Sequence, residues 1–135
     1  MRTRFTVLGA VFLPAVAALS GLVLATGGSY AAEKAPATCS PNGTALAIAA
    51  SDNKYDKDCL AAPPDQALTI AFDNKDYGIP HNVSIYDGDK TLFKGEVIDG
   101  PKKITYSVPA LPAGKDQFRC DPHAEFMFGS FNVGG

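Results

Sequence analysis

Short runs in which apolar and polar residues alternate constrain the fold of this chain most strongly. The clearest runs are ALTIAF at residues 67–72, HNVSIY at residues 81–86 and the set at residues 104–108. Alternation with a period of two puts every second side chain on one face, as in a half-buried β-strand. With apolar runs at residues 45–50 and 129–133, the chain offers six or seven short strands spaced about ten residues apart. This spacing predicts an all-β Greek-key sandwich or barrel.

Turn signals set the expected limits of the other segments. Asp87-Gly88 indicates a turn that leads into a strand over residues 91–97. Prolines and a glycine between residues 109 and 114 predict another turn before a strand at residues 117–120. The charged residues 52–59 predict a loop.

The N-terminal residues 1–31 have the composition of a targeting segment. Arg2 and Arg4 precede an apolar run over residues 5–25, and the small residues up to Ala31 suit a cleavage site. The apolar run is also long enough to span a bilayer, so a cleaved signal peptide and a retained membrane anchor both stay open. Either one predicts a domain outside the cytoplasm. Residues 32–44 are then a linker containing Cys39, and residues 45–135 form the folded domain.

The charge of the chain argues against nucleic acid as a partner. The 135 residues carry a formal net charge of −2, and without Arg2 and Arg4 the balance is 10 basic to 14 acidic residues, or −4. The sequence has no basic run or basic patch interleaved with aromatic residues, which nucleic-acid binding usually requires. About a hundred residues beyond the leader are enough for one buried core.

Three soft metal-binding groups lie close together in FRCDPHAEFM, residues 118–127. Cys120 offers a thiolate, His123 an imidazole and Met127 a thioether. Soft sulfur ligands favour copper, and two histidines, a cysteine and a weak axial methionine form the blue-copper, electron-transfer site. The loop supplies three of these four groups, and a second histidine is needed.

His81 is the remaining histidine of a chain that has two. It begins an alternating strand directly after Pro80, which fixes the backbone at its entry. Apart from the initiator, Met127 is the only methionine. Both histidines, this methionine and Cys120 therefore fall into one pattern, which predicts a copper site. Taken singly, His81 could be an ordinary strand histidine, Met127 core filler and Cys120 an inert thiol. Zinc is disfavoured because it prefers cysteine and histidine without methionine.

The three cysteines leave one unpaired in an oxidising compartment. If Cys120 binds metal, Cys39 and Cys59 form a disulfide. The alternative is that Cys120 pairs with one of them and the third cysteine stays unpaired and has no role.

The segments HNVSIY, VPALPAGKDQFRCDPH and GSFNV resemble the cupredoxin family of small type 1 blue copper proteins, of the plastocyanin and amicyanin type. The resemblance spans about residues 45–133. It implies that His81 and His123 bind copper through Nδ1, that Cys120 binds as thiolate and that Met127 is a long axial ligand. It also implies that the Asn82 side chain helps to tie the two ligand segments together.

The resemblance implies a one-electron carrier whose redox partner proteins dock on an apolar rim around His123. A copper storage or delivery protein is the alternative, because it would need the same ligands. We do not expect an enzyme, since catalytic copper needs further histidines and both are already used. Pro122 has no N–H to donate to the thiolate, and we expect this to influence the reduction potential.

Overall fold

The strands are short, as the sequence pattern predicts. The computed structural model describes residues 37–135, so the predicted leader and the first part of the linker lie outside the described residues. Among residues 37–135, no helix has the length and apolar character needed to cross a membrane. The described residues form eleven strands and one short 3-10 helix: β1 (Ala45–Ser51), β2 (Lys54–Tyr55), β3 (Cys59–Ala62), β4 (Leu68–Asn74), β5 (Pro80–His81), β6 (Ser84–Asp87), β7 (Lys90–Phe93), β8 (Ile98–Asp99), β9 (Lys102–Val108), β10 (Gly114–Arg119), the helix Asp121–His123, and β11 (Phe128–Val133).

The described strands form two sheets and one separate strand pair. The first sheet has the order β2-β1-β4-β9, the second has the order β3-β11-β10-β6-β7, and β5 pairs with β8. Each sheet contains one parallel pair, β1 with β4 and β3 with β11, while the other neighbours are antiparallel. The predicted all-β sandwich is confirmed.

The alternating residues of both sheets meet in one core. In β4, Leu68, Ile70 and Phe72 are buried, and they belong to the same cluster as Phe118 of β10 and Phe131 of β11. Each such side chain contributes about 1.5–3 kcal/mol when it is fully buried. Because β10 leads directly into the Cys-x-x-His loop, this core fixes the base of the loop.

Two of the predicted segments at the sheet margins are wrong. Residues 52–59 are not only a loop, because β2 lies within them and β3 begins at Cys59. The strand expected over residues 91–97 ends at Phe93. Residues 94–97 leave the sheet because Gly95 lies against β6, where its carbonyl accepts from Asn82 and its N–H donates to Ser84 Oγ, at 2.9 and 3.1 Å.

The run at residues 81–86 is also divided. His81 pairs with Ile98 of β8, whereas Ser84 pairs with Arg119 of β10. Residues 82–83 cross from one pairing partner to the other. The alternation continues through this crossing, which explains why the sequence alone indicates one unbroken strand.

A disulfide joins Cys39 to Cys59 across 20 residues, and Cys120 is the buried free cysteine. The predicted pairing is therefore confirmed. Replacing both Cys39 and Cys59 with alanine should lower the free energy of unfolding by about 3 kcal/mol, because the unfolded chain regains the entropy of this loop. Urea denaturation of the two proteins measures the difference. A loss below about 1 kcal/mol would contradict the loop-entropy estimate.

Candidate metal centre

Two separate segments carry the four predicted ligands. His81 ends β5, whereas Cys120, His123 and Met127 lie in the connection from β10 to β11. This connection is closed on itself. The Cys120 N–H donates to the Met127 carbonyl, and the Met127 N–H donates to the His123 carbonyl, both at 2.9 Å. The loop is therefore held at both ends by strands and internally by its own backbone.

The structure brings three of the predicted ligand atoms together. Nδ1 of His81 lies 3.1 Å from Nδ1 of His123, and the Cys120 sulfur lies 3.5 and 3.6 Å from these two nitrogens. His81 and Cys120 are completely buried, while His123 is partly exposed. Two imidazoles and one thiol converging in this way fit a soft metal ion, and copper suits them best.

Met127 is placed on the same closed loop. Its side chain is buried and belongs to the core cluster that also contains Cys120. A thioether is a weak, long axial ligand in blue-copper sites, so burial near the thiolate suits that role.

The Cys120 thiol lies in an environment that opposes its ionisation. Burial raises its pKa and the negative charge of Asp121 raises it further, against the backbone N–H groups of Asn82 and His123, which lower it. The metal-free thiol is therefore protonated at neutral pH. Metal binding must release this proton, because the thiolate is the ligand form.

Asp76 contacts the first histidine from behind. Its Oδ2 lies 2.9 Å from Nε2 of His81. The same carboxylate accepts the N–H groups of Asp52 and Asn53 at 2.7 and 3.0 Å. The Asn53 N–H, with His81 and Asp52, lowers the pKa of Asp76 against the effect of burial. Because an ionised carboxylate only accepts hydrogen bonds, His81 Nε2 donates to it, which leaves Nδ1 for a metal.

This contact ties the β1–β2 hairpin to the centre. Asp52 and Asn53 form the hairpin turn, with φ angles of 54° and 56° that asparagine and aspartate tolerate better than most residues. Tyr55 of β2 makes a second connection. Its hydroxyl donates to the Asn82 carbonyl, and its ring packs edge-on against Phe118 at 5.3 Å.

Asn82 spans the two ligand segments. Its amide Nδ2 lies within hydrogen-bonding distance of Ser84 Oγ, the Gly95 carbonyl and Asp121 Oδ2, at 2.8–3.1 Å. Its Oδ1 accepts the N–H of Asp121 at 2.7 Å. The side chain is fully buried, so these bonds replace its contacts with water.

Asp121 directly follows Cys120 and collects donors from β6. Its carboxylate accepts from Asn82, from Ser84 Oγ at 2.7 Å and from the Tyr86 hydroxyl at 2.6 Å. Burial acts to raise its pKa, but the hydrogen bonds from Tyr86, Asn82 and Ser84 outweigh it and hold the pKa below the usual value. Asp121 is therefore ionised at neutral pH.

His123 lies beside an apolar surface. The Phe126 ring is 5.4 Å from its ring, and Phe126 is 59% exposed. Pro122 is exposed in the first turn of the 3-10 helix. Partial burial and then the nearby His81 lower the pKa of His123, against the opposing charge of Asp76. The ring is consequently neutral at pH 7 and able to bind a metal.

Sequence reasoning missed Asp76 and Asp121. Residues 82, 84 and 86 share one face of an alternating run, so the pattern did indicate that Asn82, Ser84 and Tyr86 lie side by side. It did not indicate that a carboxylate covers them, because Asp121 arrives from a loop 35 or more residues later.

A family model described as the cupredoxin-like domain matches residues 17–133. This chain belongs to the cupredoxin-like domain family. The matched region of this cupredoxin contains all four predicted ligands and both disulfide cysteines, in agreement with the resemblance of its sequence motifs.

Solved structures share the fold of this cupredoxin. Auracyanin from Roseiflexus castenholzii is 21% identical with a TM-score of 0.58, over 68% of this chain and 98% of that one. Auracyanin A, a blue copper protein from Chloroflexus aurantiacus, is 17% identical with a TM-score of 0.59, over 68% and 99%. Amicyanin from Paracoccus versutus is 25% identical with a TM-score of 0.50, over 66% and 80%. A comparison with curated proteins found no match.

Proposed function

We propose that this cupredoxin holds one copper ion between His81, Cys120, His123 and Met127 and carries single electrons between redox partner proteins. The observation that carries the proposal is the convergence of two Nδ1 atoms and one sulfur within 3.1–3.6 Å. This donor set is the one that blue-copper electron-transfer sites use. A mutant of amicyanin, to which this chain is similar at 25% identity and a TM-score of 0.50, has been solved in a reduced Cu(I) form.

The chain prepares the site for fast electron transfer by fixing its donors before a metal binds. Copper supplies a one-electron couple when it is bound. Asp76 fixes the His81 ring, and the backbone bonds between Cys120 and Met127 fix the loop. Because His81 and Cys120 are fully buried, water has no access from their side. Donors held in this way move little between the two redox states.

Electrons leave and enter near His123 in this proposal. His123 is the ligand with exposed surface, and the exposed Phe126 ring lies next to it. An apolar rim lets a partner protein exclude water and approach the imidazole closely. We place the protein outside the cytoplasm, because the Cys39–Cys59 disulfide is stable in an oxidising compartment and the sequence begins with a leader-like segment.

Voltammetry and electron self-exchange of the copper-loaded protein separate a carrier from a storage or delivery protein. A carrier gives a reversible one-electron wave and rapid self-exchange, and it retains its copper against a moderate chelator. Loss of copper to that chelator, with slow self-exchange, would contradict the proposal and favour delivery.

Replacing Asp76 with alanine should weaken copper binding about 10–100-fold, the usual effect of removing a partner that orients a metal ligand. The His81 ring loses its Nε2 partner, so the ring is no longer held with Nδ1 toward Cys120. Competition with a chelator of known affinity measures the change. Asp73→Ala is the matched control, because Asp73 lies in β4 of the first sheet and forms an ion pair with Lys103 of β9. A change below about twofold in Asp76→Ala would refute the orienting role.

A further inference from the structure

We propose that Asp121 is a positioning residue of the metal centre: its carboxylate ties β6 to the ligand loop, and its fixed negative charge beside Cys120 lowers the reduction potential. This inference rests on the copper function proposed above. Asp121 is not one of the predicted ligands, and the proposed electron transfer does not itself require its carboxylate.

The Asp121 carboxylate links two segments of the chain, because its hydrogen-bond partners all come from residues that follow His81. Asn82, Ser84 and Tyr86 all donate to the Asp121 carboxylate, while the Asp121 N–H donates back to Asn82 Oδ1. These donors follow His81 along the chain, and Asp121 follows Cys120. One carboxylate therefore links the segment of the first histidine to the segment of the thiolate.

The same carboxylate brings a full negative charge next to the thiolate. It is mostly buried, with its side chain 19% exposed, so solvent screens it only in part. Asp121 is the residue directly after Cys120, and three hydrogen bonds hold its carboxylate in place. Reduction adds one electron to the centre, and a nearby negative charge opposes this addition. The sign is therefore fixed: Asp121 favours the oxidised state and lowers the reduction potential.

The surrounding donors moderate this charge without cancelling it. Three neutral groups donate to the carboxylate. The Arg119 guanidinium stacks over the Tyr86 ring at 3.7 Å, and its Nε forms an ion pair with Asp121 Oδ1 at 3.8 Å, beyond hydrogen-bonding distance. Loss of a donor should therefore expose more of the negative charge to the centre.

Asp121→Asn in the copper-loaded protein tests the charge. The amide keeps the shape and one acceptor oxygen but removes the negative charge. We expect the equilibrium constant for reduction by a fixed redox reference to rise about tenfold, which is about 59 mV for a one-electron couple. Asp73→Asn removes a charge from the opposite sheet and should change the constant less than about twofold. An unchanged or lower potential in Asp121→Asn, with the blue absorption intact, would overturn the charge role.

Tyr86→Phe tests the same charge in the opposite direction. It removes one donor to the carboxylate and keeps the ring beneath Arg119. The charge is then less compensated, so the equilibrium constant for reduction should fall about two- to threefold. A purely structural role would shift both variants the same way. A rise in Tyr86→Phe would overturn the electrostatic role even if Asp121→Asn does not fold.

Amide hydrogen exchange in the metal-free protein tests the tie independently of copper. In Asp121→Ala, Asn82 loses one of its partners, and the N–H of residue 121 should exchange at least about tenfold faster than in the wild type. Equal exchange rates would overturn the tying role. A wild-type protein without a blue copper centre would overturn the charge role together with the proposed function. A normal wild-type centre with an unshifted Asp121→Asn would overturn the charge role alone.

Discussion

Replacing Cys120 with serine should abolish the intense blue absorption that we expect of the copper-loaded wild-type protein. The band arises from charge transfer between thiolate and copper, so no other residue can supply it. The sulfur is fully buried and lies within 3.6 Å of both Nδ1 atoms. A serine side chain is shorter than a cysteine side chain, and its oxygen is a harder donor than sulfur. The hydroxyl is therefore a poor ligand for copper at neutral pH. The expected change is complete loss of the band, measured by visible spectroscopy after addition of Cu(II).

The Cys39→Ala, Cys59→Ala double variant is the control for this substitution. It also removes sulfur, but from the disulfide next to β3 and not from the centre. It should keep the blue band under conditions in which it is folded. A blue band that survives in Cys120→Ser, or one that disappears from the folded double variant, would contradict the assignment of Cys120 as the ligand.

Replacing Asn82 with alanine should lower the free energy of unfolding of the metal-free protein by about 3 kcal/mol or more. Alanine leaves the Asp121 N–H and the Gly95 carbonyl without their partner in a buried site. Each buried group left unsatisfied costs about 1–3 kcal/mol. The Asp121 carboxylate also loses one of its donors. Urea denaturation monitored by circular dichroism measures the loss.

Asn132→Ala is the matched control for Asn82. Asn132 is also buried, but its Nδ2 contacts the Cys39 carbonyl at 3.3 Å and the Cys59 sulfur at 3.4 Å and not the ligand segments. We expect it to lose less stability and to keep the copper spectrum of the wild type. If Asn82→Ala is no less stable than Asn132→Ala, Asn82 does not hold the ligand segments together.

Alternation of apolar residues predicted the strands that pair along most of their length and bury one face. β4 and β9 are of this kind. The prediction failed where backbone pairing does not follow the side-chain pattern. β2 consists of Lys54 and Tyr55 alone, in a hairpin with β1. β3 is a short run of mostly small residues that pairs in parallel with β11. The segment around Gly95 leaves its sheet because of contacts with Asn82 and Ser84, which are remote in sequence.

The candidate ligands could be selected from the sequence because their residue types are rare in this chain. Two histidines and one internal methionine leave few ways to combine them with the odd cysteine. Asp76 and Asp121 were not predictable, since they are two of 14 acidic residues and nothing in their spacing sets them apart. Their roles depend on the tertiary fold, which brings Asp76 behind His81 and Asp121 onto Tyr86.

A titration of the metal-free, reduced protein with Cu(II) tests the central claim most directly. If the proposed ligands His81, Cys120, His123 and Met127 hold one copper ion, the blue absorption should rise linearly and stop at one copper per chain. Absence of the band, or a band that continues to grow beyond one equivalent, would contradict a single type 1 copper centre.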